Sequence, residues 1–130
     1  MSELSSKSVL VVEDDAFFVR LSQLVLKGMG VQNVSVAENG VAALNLLHDD
    51  SKKFDLIISD WNMPKMTGLE LLQNVRRNWP AMPFLMLTGN ANPEFVLAAR
   101  KHGVNGYIAK PFQPDQLKKR VQAILQPKDG

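Results

Sequence analysis

The sequence predicts an α/β fold, in which one doubly wound parallel sheet of five strands is covered by helices on both faces. Two observations carry this prediction. Short apolar segments typical of buried strands alternate along the chain with segments whose apolar residues recur at helical spacing, and there are five of each. The connections between them are short, which favours sequential packing of strand and helix in one sheet.

The five predicted strands are short and mostly apolar. Residues 9–12 (VLVV) form a continuous apolar run, which is typical of a strand buried on both faces of a parallel sheet. The other strands are predicted over residues 34–37, 54–59, 83–87 and 107–109.

The five predicted helices follow the strands one by one. They cover residues 16–29, 40–48, 68–78, 93–103 and 115–125. In the first, Phe17, Leu21, Leu24 and Val25 recur at helical spacing before Gly30 ends the helix. Thr67 and Glu70 have the spacing of a capping box, which marks the start of the third helix.

Length and composition indicate one globular domain. The chain has 130 residues, 45% hydrophobic and 22% charged, and a net charge of +2, which does not indicate a nucleic-acid-binding protein. It contains no cysteine, which excludes disulfides and thiolate metal sites. Residues 1–7 lack the apolar core of a signal peptide, and no apolar run is long enough to span a membrane. We expect a cytoplasmic protein with one domain over residues 8–126 and flexible segments at 1–7 and 127–130. Basic pairs such as Arg76-Arg77 lie late in the predicted helices, where positive charges suit the helix dipole.

Polar residues follow four of the predicted strands directly. They are residues 13–15 (Glu-Asp-Asp) after the first strand, Asp60 after the third, Thr88 after the fourth and Lys110 after the fifth. Taken singly, each has an ordinary structural interpretation. The acidic residues could start a helix, Asp60 could start a turn, Thr88 could be a strand residue, and Lys110 could be a solvated charge. Ligands of open α/β sheets bind outside the carboxyl ends of the strands, so the combination favours a site.

The charges at these strand ends predict a metal site. Glu13, Asp14 and Asp60 would bring three negative charges against one positive charge on Lys110. Crowded carboxylates repel unless a cation intervenes, and a set of oxygen ligands without Cys or His favours Mg²⁺. A metal-bound carboxylate beside a hydroxyl and an ammonium suits phosphoryl transfer, in which aspartate is a known nucleophile.

Four segments of the chain resemble the response-regulator receiver domain. They are VLVVEDD at residues 9–15, SDWNMP at 59–64 with Gly68, LT at 87–88 and GYIAKPF at 106–112. The resemblance covers essentially the whole chain, and the segment that starts at Asp60 is especially similar to the chemotaxis members of the family. It implies a flavodoxin-like (α/β)5 fold with the strand order 2-1-3-4-5.

The resemblance implies that Asp60 is the phosphoacceptor and that Mg²⁺ is the cofactor. Because the apolar run ends at Val12, the acidic pair of the family falls on Glu13 and Asp14. Asp14, Asp60 and the backbone carbonyl of Asn62 would then ligate the metal directly, and Glu13 would act through water. Asp15 is left as a helix N-cap, and Glu13 stands where chemotaxis members usually have aspartate.

The resemblance also assigns roles to the residues after the fourth and fifth strands. Lys110 would pair with the phosphoryl group, and Thr88 would hydrogen-bond one of its oxygens. Tyr107 would be the switch aromatic that turns inward when the threonine is drawn to the phosphoryl group. The Lys110–Pro111 peptide bond is predicted to be cis.

These implications describe a stand-alone response regulator of a two-component system, active in phosphorelay and, by its subgroup, in chemotaxis. The chain would accept a phosphoryl group from a sensor histidine kinase or a histidine phosphotransfer protein. It would be a switch with modest self-catalysed phosphorylation and dephosphorylation and not an enzyme. Its target would be a protein that docks on the face of helix 4, strand 5 and helix 5, and we expect a monomer that neither binds DNA nor inserts into membranes.

Other functions on the same fold remain as alternatives. A pseudo-receiver that acts only as an interaction module would typically lack the aspartate or the lysine, and this chain has both. A flavin-binding protein needs a hydroxyl-rich loop where residues 13–15 are acidic, and an aspartate-nucleophile phosphatase needs a second acid where Asn62 stands.

Overall fold

Strands and helices alternate along the chain as the hydrophobic pattern predicts. The computed structural model describes residues 3–89 and 92–126. Within them the strands are Ser8–Val12 (β1), Asn33–Ala37 (β2), Leu56–Asp60 (β3), Phe84–Thr88 (β4) and Gly106–Ala109 (β5). The helices are Ala16–Gly28 (α1), Gly40–Leu47 (α2), Gly68–Asn78 (α3), Pro93–Lys101 (α4) and Pro114–Leu125 (α5), and a short 3-10 helix covers Glu3–Ser6.

The five strands form one parallel sheet in the order β2-β1-β3-β4-β5, which confirms the predicted fold and strand order. The register aligns the carboxyl ends of the strands. Val12 pairs with Ser59, Asp60 with Leu87, and Thr88 with Ala109. The residues that follow these positions therefore emerge along the same edge of the sheet.

Two apolar cores lie on opposite faces of the sheet. One core packs α1 and α5 against the sheet, and the other packs α2, α3 and α4. Alternate residues of β1 serve the two cores, with Val9 and Val11 in the first and Leu10 and Val12 in the second. This explains the uninterrupted apolar run of β1, because a strand covered on both faces has no solvent side.

Local signals set the starts of the helices. Asp15, Asn39, Thr67 and Asn92 each accept a hydrogen bond at a helix N-terminus, and Thr67 and Glu70 form the predicted capping box. α5 starts at Pro114, a residue that suits the first turn because it lacks a backbone N–H.

The observed bounds differ from the predicted ones by a few residues. β3 starts at Leu56 and not at residue 54. The preceding Asp55 bonds Ser8 twice: its backbone N–H donates to the Ser8 carbonyl at 2.7 Å, and its carboxylate accepts from the Ser8 N–H at 2.8 Å. α4 ends at Lys101, two residues before the predicted end, because Gly103 adopts a left-handed φ of 83°.

Within the segment 1–7, which the sequence predicts to be flexible, the structure describes a 3-10 helix over Glu3–Ser6, and residues 1 and 2 lie outside the described residues. Leu4 is only 2% exposed and belongs to the core that packs α1 and α5, and it lies in the 3-10 helix. Burial of an apolar side chain offsets the entropy lost on ordering the segment. The segment 127–130 lies outside the described residues.

None of the helices in the described part of the chain combines the length and the apolar character that a membrane crossing needs.

Candidate functional site

The residues after β1 place two carboxylates in different surroundings. Glu13 is 1% exposed, and its backbone N–H donates to the Ala37 carbonyl at 2.9 Å, which continues the strand geometry beyond Val12. Asp14, the next residue, is exposed. Successive side chains of an extended chain point to opposite sides, so the pair presents one buried and one solvent-facing carboxylate.

Lys110 lies between two of the acids. Its ammonium Nζ is 2.7 Å from Glu13 Oε1 and 3.2 Å from Asp60 Oδ1, and its side chain is 11% exposed. Asp60 is the last residue of β3 and is 5% exposed. The backbone N–H of Lys110 donates to the Thr88 carbonyl at 2.6 Å, which extends the pairing of β4 and β5 up to the site.

Burial dominates the electrostatics of Glu13. It raises the pKa of Glu13 to about 7, and the negative charge of Asp60 adds to the increase. The hydrogen bond and the charge of Lys110, together with the hydrogen bond from the Asp15 N–H, act in the opposite direction. A cation near these carboxylates would favour their ionised forms.

The donor set fits a hard divalent cation. One carboxylate oxygen from each of Glu13, Asp14 and Asp60 lies within 4.8 Å of the others. All three ligands are oxygens, which suits a cation such as Mg²⁺ better than a soft metal. With one ammonium among three carboxylates, the cluster also retains excess negative charge.

The structure places Asp15 outside the acidic cluster and Asn62 at the surface of the loop after β3. The Asp15 carboxylate accepts a hydrogen bond from the Phe17 backbone N–H at 2.8 Å, so it caps α1 and is not part of the acidic cluster. Asn62 is exposed in the loop after Asp60. The peptide bond between Lys110 and Pro111 is cis, as predicted.

Thr88 and Tyr107 are in contact where β4 and β5 reach the site. Thr88 ends β4 and is fully buried, whereas Tyr107 in β5 is half-buried. Burial raises the pKa of Tyr107, and a hydrogen bond with the Thr88 side chain opposes that effect. The hydroxyl expected at the phosphoryl group is therefore linked directly to the predicted switch aromatic.

The start of α3 approaches the end of β3 closely at Gly68. The Gly68 N–H donates to the Trp61 carbonyl at 2.7 Å. A Cβ at this position would collide with the Asp60 carbonyl oxygen and lie 2.9 Å from the Trp61 Cα. Only glycine therefore lets α3 pack against the backbone of the predicted phosphoacceptor.

Two aromatic contacts at the site were missed by reasoning from sequence. The Phe18 ring lies under Lys110, with its centroid 4.0 Å from Nζ. The Trp61 ring meets Phe95 of α4 edge to face, at a centroid distance of 4.9 Å. Helical spacing singled out Phe17 as an apolar residue of α1 but not Phe18. No local sequence pattern relates Phe18 to Lys110 or Trp61 to Phe95.

The comparisons with known proteins agree with this geometry. The model of the response regulator receiver domain matches residues 9–122. The chain belongs to the response regulator receiver family. This receiver is 37% identical over 124 residues to the chemotaxis protein CheY of Pseudomonas aeruginosa, covering 94% of this chain and 98% of that protein.

Solved receiver structures share the fold. The chemotaxis protein CheY4 of Vibrio cholerae has 35% identity and a TM-score of 0.81, over 91% of this chain and 98% of that one. The Mn²⁺-bound form of the response regulator Rcp1 has 27% identity and a TM-score of 0.83, over 95% and 97% of the two chains. The receiver is thus CheY-like in both sequence and fold.

Proposed function

We propose that this receiver accepts a phosphoryl group on Asp60 in a Mg²⁺-dependent reaction and signals by protein contact. The observation that carries the proposal is the position of the Lys110 ammonium, 3.2 Å from Asp60 Oδ1 within an acidic, oxygen-only cluster at the strand ends. Phosphoryl transfer requires a nucleophilic carboxylate, a positively charged side chain such as the Lys110 ammonium, and a metal site.

The reaction forms one bond and breaks another. An Asp60 carboxylate oxygen attacks phosphorus, the bond from phosphorus to a histidine ring nitrogen of the donor breaks, and the nitrogen keeps the electron pair. Lys110 pairs with the transferred phosphoryl group, and the Thr88 hydroxyl donates to one of its oxygens. These charge-assisted contacts stabilise the negative charge that the acyl phosphate carries.

We assign the metal to Asp14, Asp60 and the Asn62 backbone carbonyl, with Glu13 acting through water. When bound, Mg²⁺ neutralises charge on the carboxylates and on the phosphoryl oxygens. The Mn²⁺-bound form of Rcp1 supports a divalent cation in a receiver of this fold. The exposure of Asp14 supports access of the cation from solvent.

The phosphoryl donor would be a sensor histidine kinase or a histidine phosphotransfer protein in the cytoplasm. The chain would act as a switch that phosphorylates and dephosphorylates itself modestly, not as a metabolic enzyme. The similarity to CheY of Pseudomonas aeruginosa favours a role in chemotaxis.

The face of α4, β5 and α5 is the proposed docking surface for the target protein. A cavity of about 250 Å³ opens there beside Tyr107, and basic side chains border it. Its lining residues are Tyr107, Ile108, Ala109, Gln116, Lys119 and Arg120. Phosphorylation that moves Tyr107 would change the shape of this cavity.

Intact-mass measurement with acetyl phosphate and Mg²⁺ tests the proposal. The wild-type chain should gain one labile phosphoryl group, and chelation of Mg²⁺ should prevent it. Asp60→Asn should abolish the adduct, because an amide is a poor nucleophile. Asp50→Asn is the matched control, since Asp50 is an exposed carboxylate outside the acidic cluster, and it should leave the adduct unchanged.

An undiminished adduct in Asp60→Asn would show that another residue is the phosphoacceptor. A wild-type chain that gains no phosphoryl group from acetyl phosphate would favour a pseudo-receiver that acts only as an interaction module.

A further inference from the structure

We propose that Phe18 is a positioning residue that holds the Lys110 ammonium beside Asp60. This inference rests on the proposed function, because it concerns the cation that would receive the phosphoryl group. Phe18 lies in the first turn of α1, four residues after Asp14 of the acidic cluster. The face of its ring contacts the Lys110 ammonium.

Among the described residues, the Lys110 ammonium contacts two carboxylates and one aromatic ring. Glu13 Oε1 and Asp60 Oδ1 lie 2.7 and 3.2 Å from Nζ, and the centroid of the Phe18 ring lies at 4.0 Å. A cation within about 6 Å of an aromatic centroid is attracted by the ring, and the attraction grows as water is excluded. The Lys110 side chain is 11% exposed, so much of its water is already removed.

The Phe18 ring is itself held in place by its neighbours. Its centroid is 5.7 Å from that of Phe112, and Phe112 is 5% exposed in the core that packs α1 and α5. The backbone before it is anchored by Asp15, which caps α1. Phe18 can therefore restrain the flexible lysine stem, because it does not need the lysine to fix its own position.

The ring contact differs from the two carboxylate contacts during the reaction. When Asp60 becomes an acyl phosphate, its carboxylate loses its charge, and Glu13 takes part in binding the metal in the proposed function. The attraction between Phe18 and the ammonium does not depend on either change. Phe18 would thus keep Lys110 in place while its anionic partners change.

NMR of the metal-free, unphosphorylated chain tests the placement. The Lys110 Cε protons should be shifted upfield by the Phe18 ring in the wild-type chain. Phe18→Leu, which keeps an apolar side chain at this half-buried position, should abolish the shift, and Phe18→Tyr should retain it. Phe17→Leu is the matched control. The Phe17 ring is 67% exposed and meets the Phe18 ring edge to face at 5.1 Å, but Phe112 holds Phe18 from the core, so this variant should preserve the shift.

The rate of phosphorylation by acetyl phosphate tests the consequence. Phe18→Leu should slow adduct formation by about 2- to 30-fold, the range that a cation–π contact accounts for, and Phe18→Tyr should restore the rate. In a Lys110→Met background, Phe18→Leu should cause no further slowing, because Phe18 acts through the lysine.

A wild-type rate in Phe18→Leu, equal slowing in the Lys110→Met background, or no upfield shift in the wild-type chain would overturn the inference. If the wild-type chain forms no adduct at all, the proposed function fails, and the upfield shift alone then decides whether Phe18 holds Lys110.

Discussion

Glu13, Asp14 and Asp15 are consecutive acids with different surroundings. Glu13 is buried and accepts a hydrogen bond from Lys110, Asp14 is exposed at the acidic cluster, and Asp15 caps α1. The chain passes from strand to helix over these residues, so each side chain points in a different direction. Their roles should therefore separate under mutation.

Asp14→Ala should weaken Mg²⁺ binding far more than Asp15→Ala does. Asp14 offers an oxygen to the cluster, and loss of a direct ligand should cost at least the roughly 10-fold that loss of an outer partner costs. Titration with Mg²⁺, monitored by tryptophan fluorescence, measures both affinities. The reverse order would mean that the assignment of the acidic pair is wrong by one residue.

Thermal stability is the control measurement, because Asp15→Ala should lower the Tm and Asp14→Ala should not. Its carboxylate accepts from the Phe17 N–H, and loss of such a cap costs about 1 kcal/mol, which corresponds to a Tm lower by roughly 3–5 °C. Asp14 does not cap the helix, so Asp14→Ala should spare this contribution.

At the scale of secondary structure, the site depends on how closely α3 meets β3. The Gly68 N–H bonds to the Trp61 carbonyl, and the space for a Cβ is taken by the Asp60 carbonyl oxygen. The same end of β3 contacts α4 through Trp61 and Phe95. Two helices are thus packed directly against the residues at the proposed phosphoacceptor, Asp60.

Gly68→Ala should destabilise the fold by at least about 2 kcal/mol, because the obstacle is backbone that cannot rotate away. Thermal and urea unfolding measure the loss. Gly28→Ala is the matched control, since α1 leaves open space around Gly28, and it should be neutral or stabilise by up to about 1 kcal/mol. Equal stabilities of the two variants would contradict the close approach of α3.

At the scale of the whole molecule, the site is connected to the proposed docking surface through Thr88 and Tyr107. Thr88 closes β4 beside Lys110, and its side chain hydrogen-bonds to Tyr107 on the face of β5 and α5. A phosphoryl group that attracts the Thr88 hydroxyl competes with that hydrogen bond. A ligand shifts an equilibrium only by its differential affinity for the two states, and this competition supplies one.

Thr88→Ala should still accept a phosphoryl group but show a much smaller chemical-shift response at Tyr107. Thr88→Ser keeps the hydroxyl and should retain most of the response. NMR of the Tyr107 ring before and after phosphorylation measures the difference. An equal response in the wild-type chain and in Thr88→Ala would show that the coupling follows another route.

The overall architecture was predictable because its signals are local. Apolar runs, helical spacing and capping residues depend on neighbours a few positions away, and the alternation of strands and helices follows from them. The bounds were less accurate where a distant group intervenes. Asp55, just before β3, bonds Ser8 of β1, and Leu4 is buried in a core that the sequence does not display.

The chemical character of the site was also predictable, but its geometry was not. Polar groups after the strands, together with the family motifs, identified Glu13, Asp60 and Lys110. Which carboxylates contact the ammonium, and that Phe18 lies under it, depend on how elements far apart in the chain meet.

Arg76 and Arg77 show the same limit away from the site. From the sequence, both are predicted to be basic residues late in a helix. In the structure, Arg76 donates to the carbonyls of Met82 and Gly103 and to Asn105 Oδ1, whereas Arg77 bonds only Asn74 among the described residues. By itself the sequence determined the elements, their caps and the residue types at the strand ends. Only the tertiary structure decided which of those side chains meet, because strand register and helix packing bring together residues that no local pattern relates.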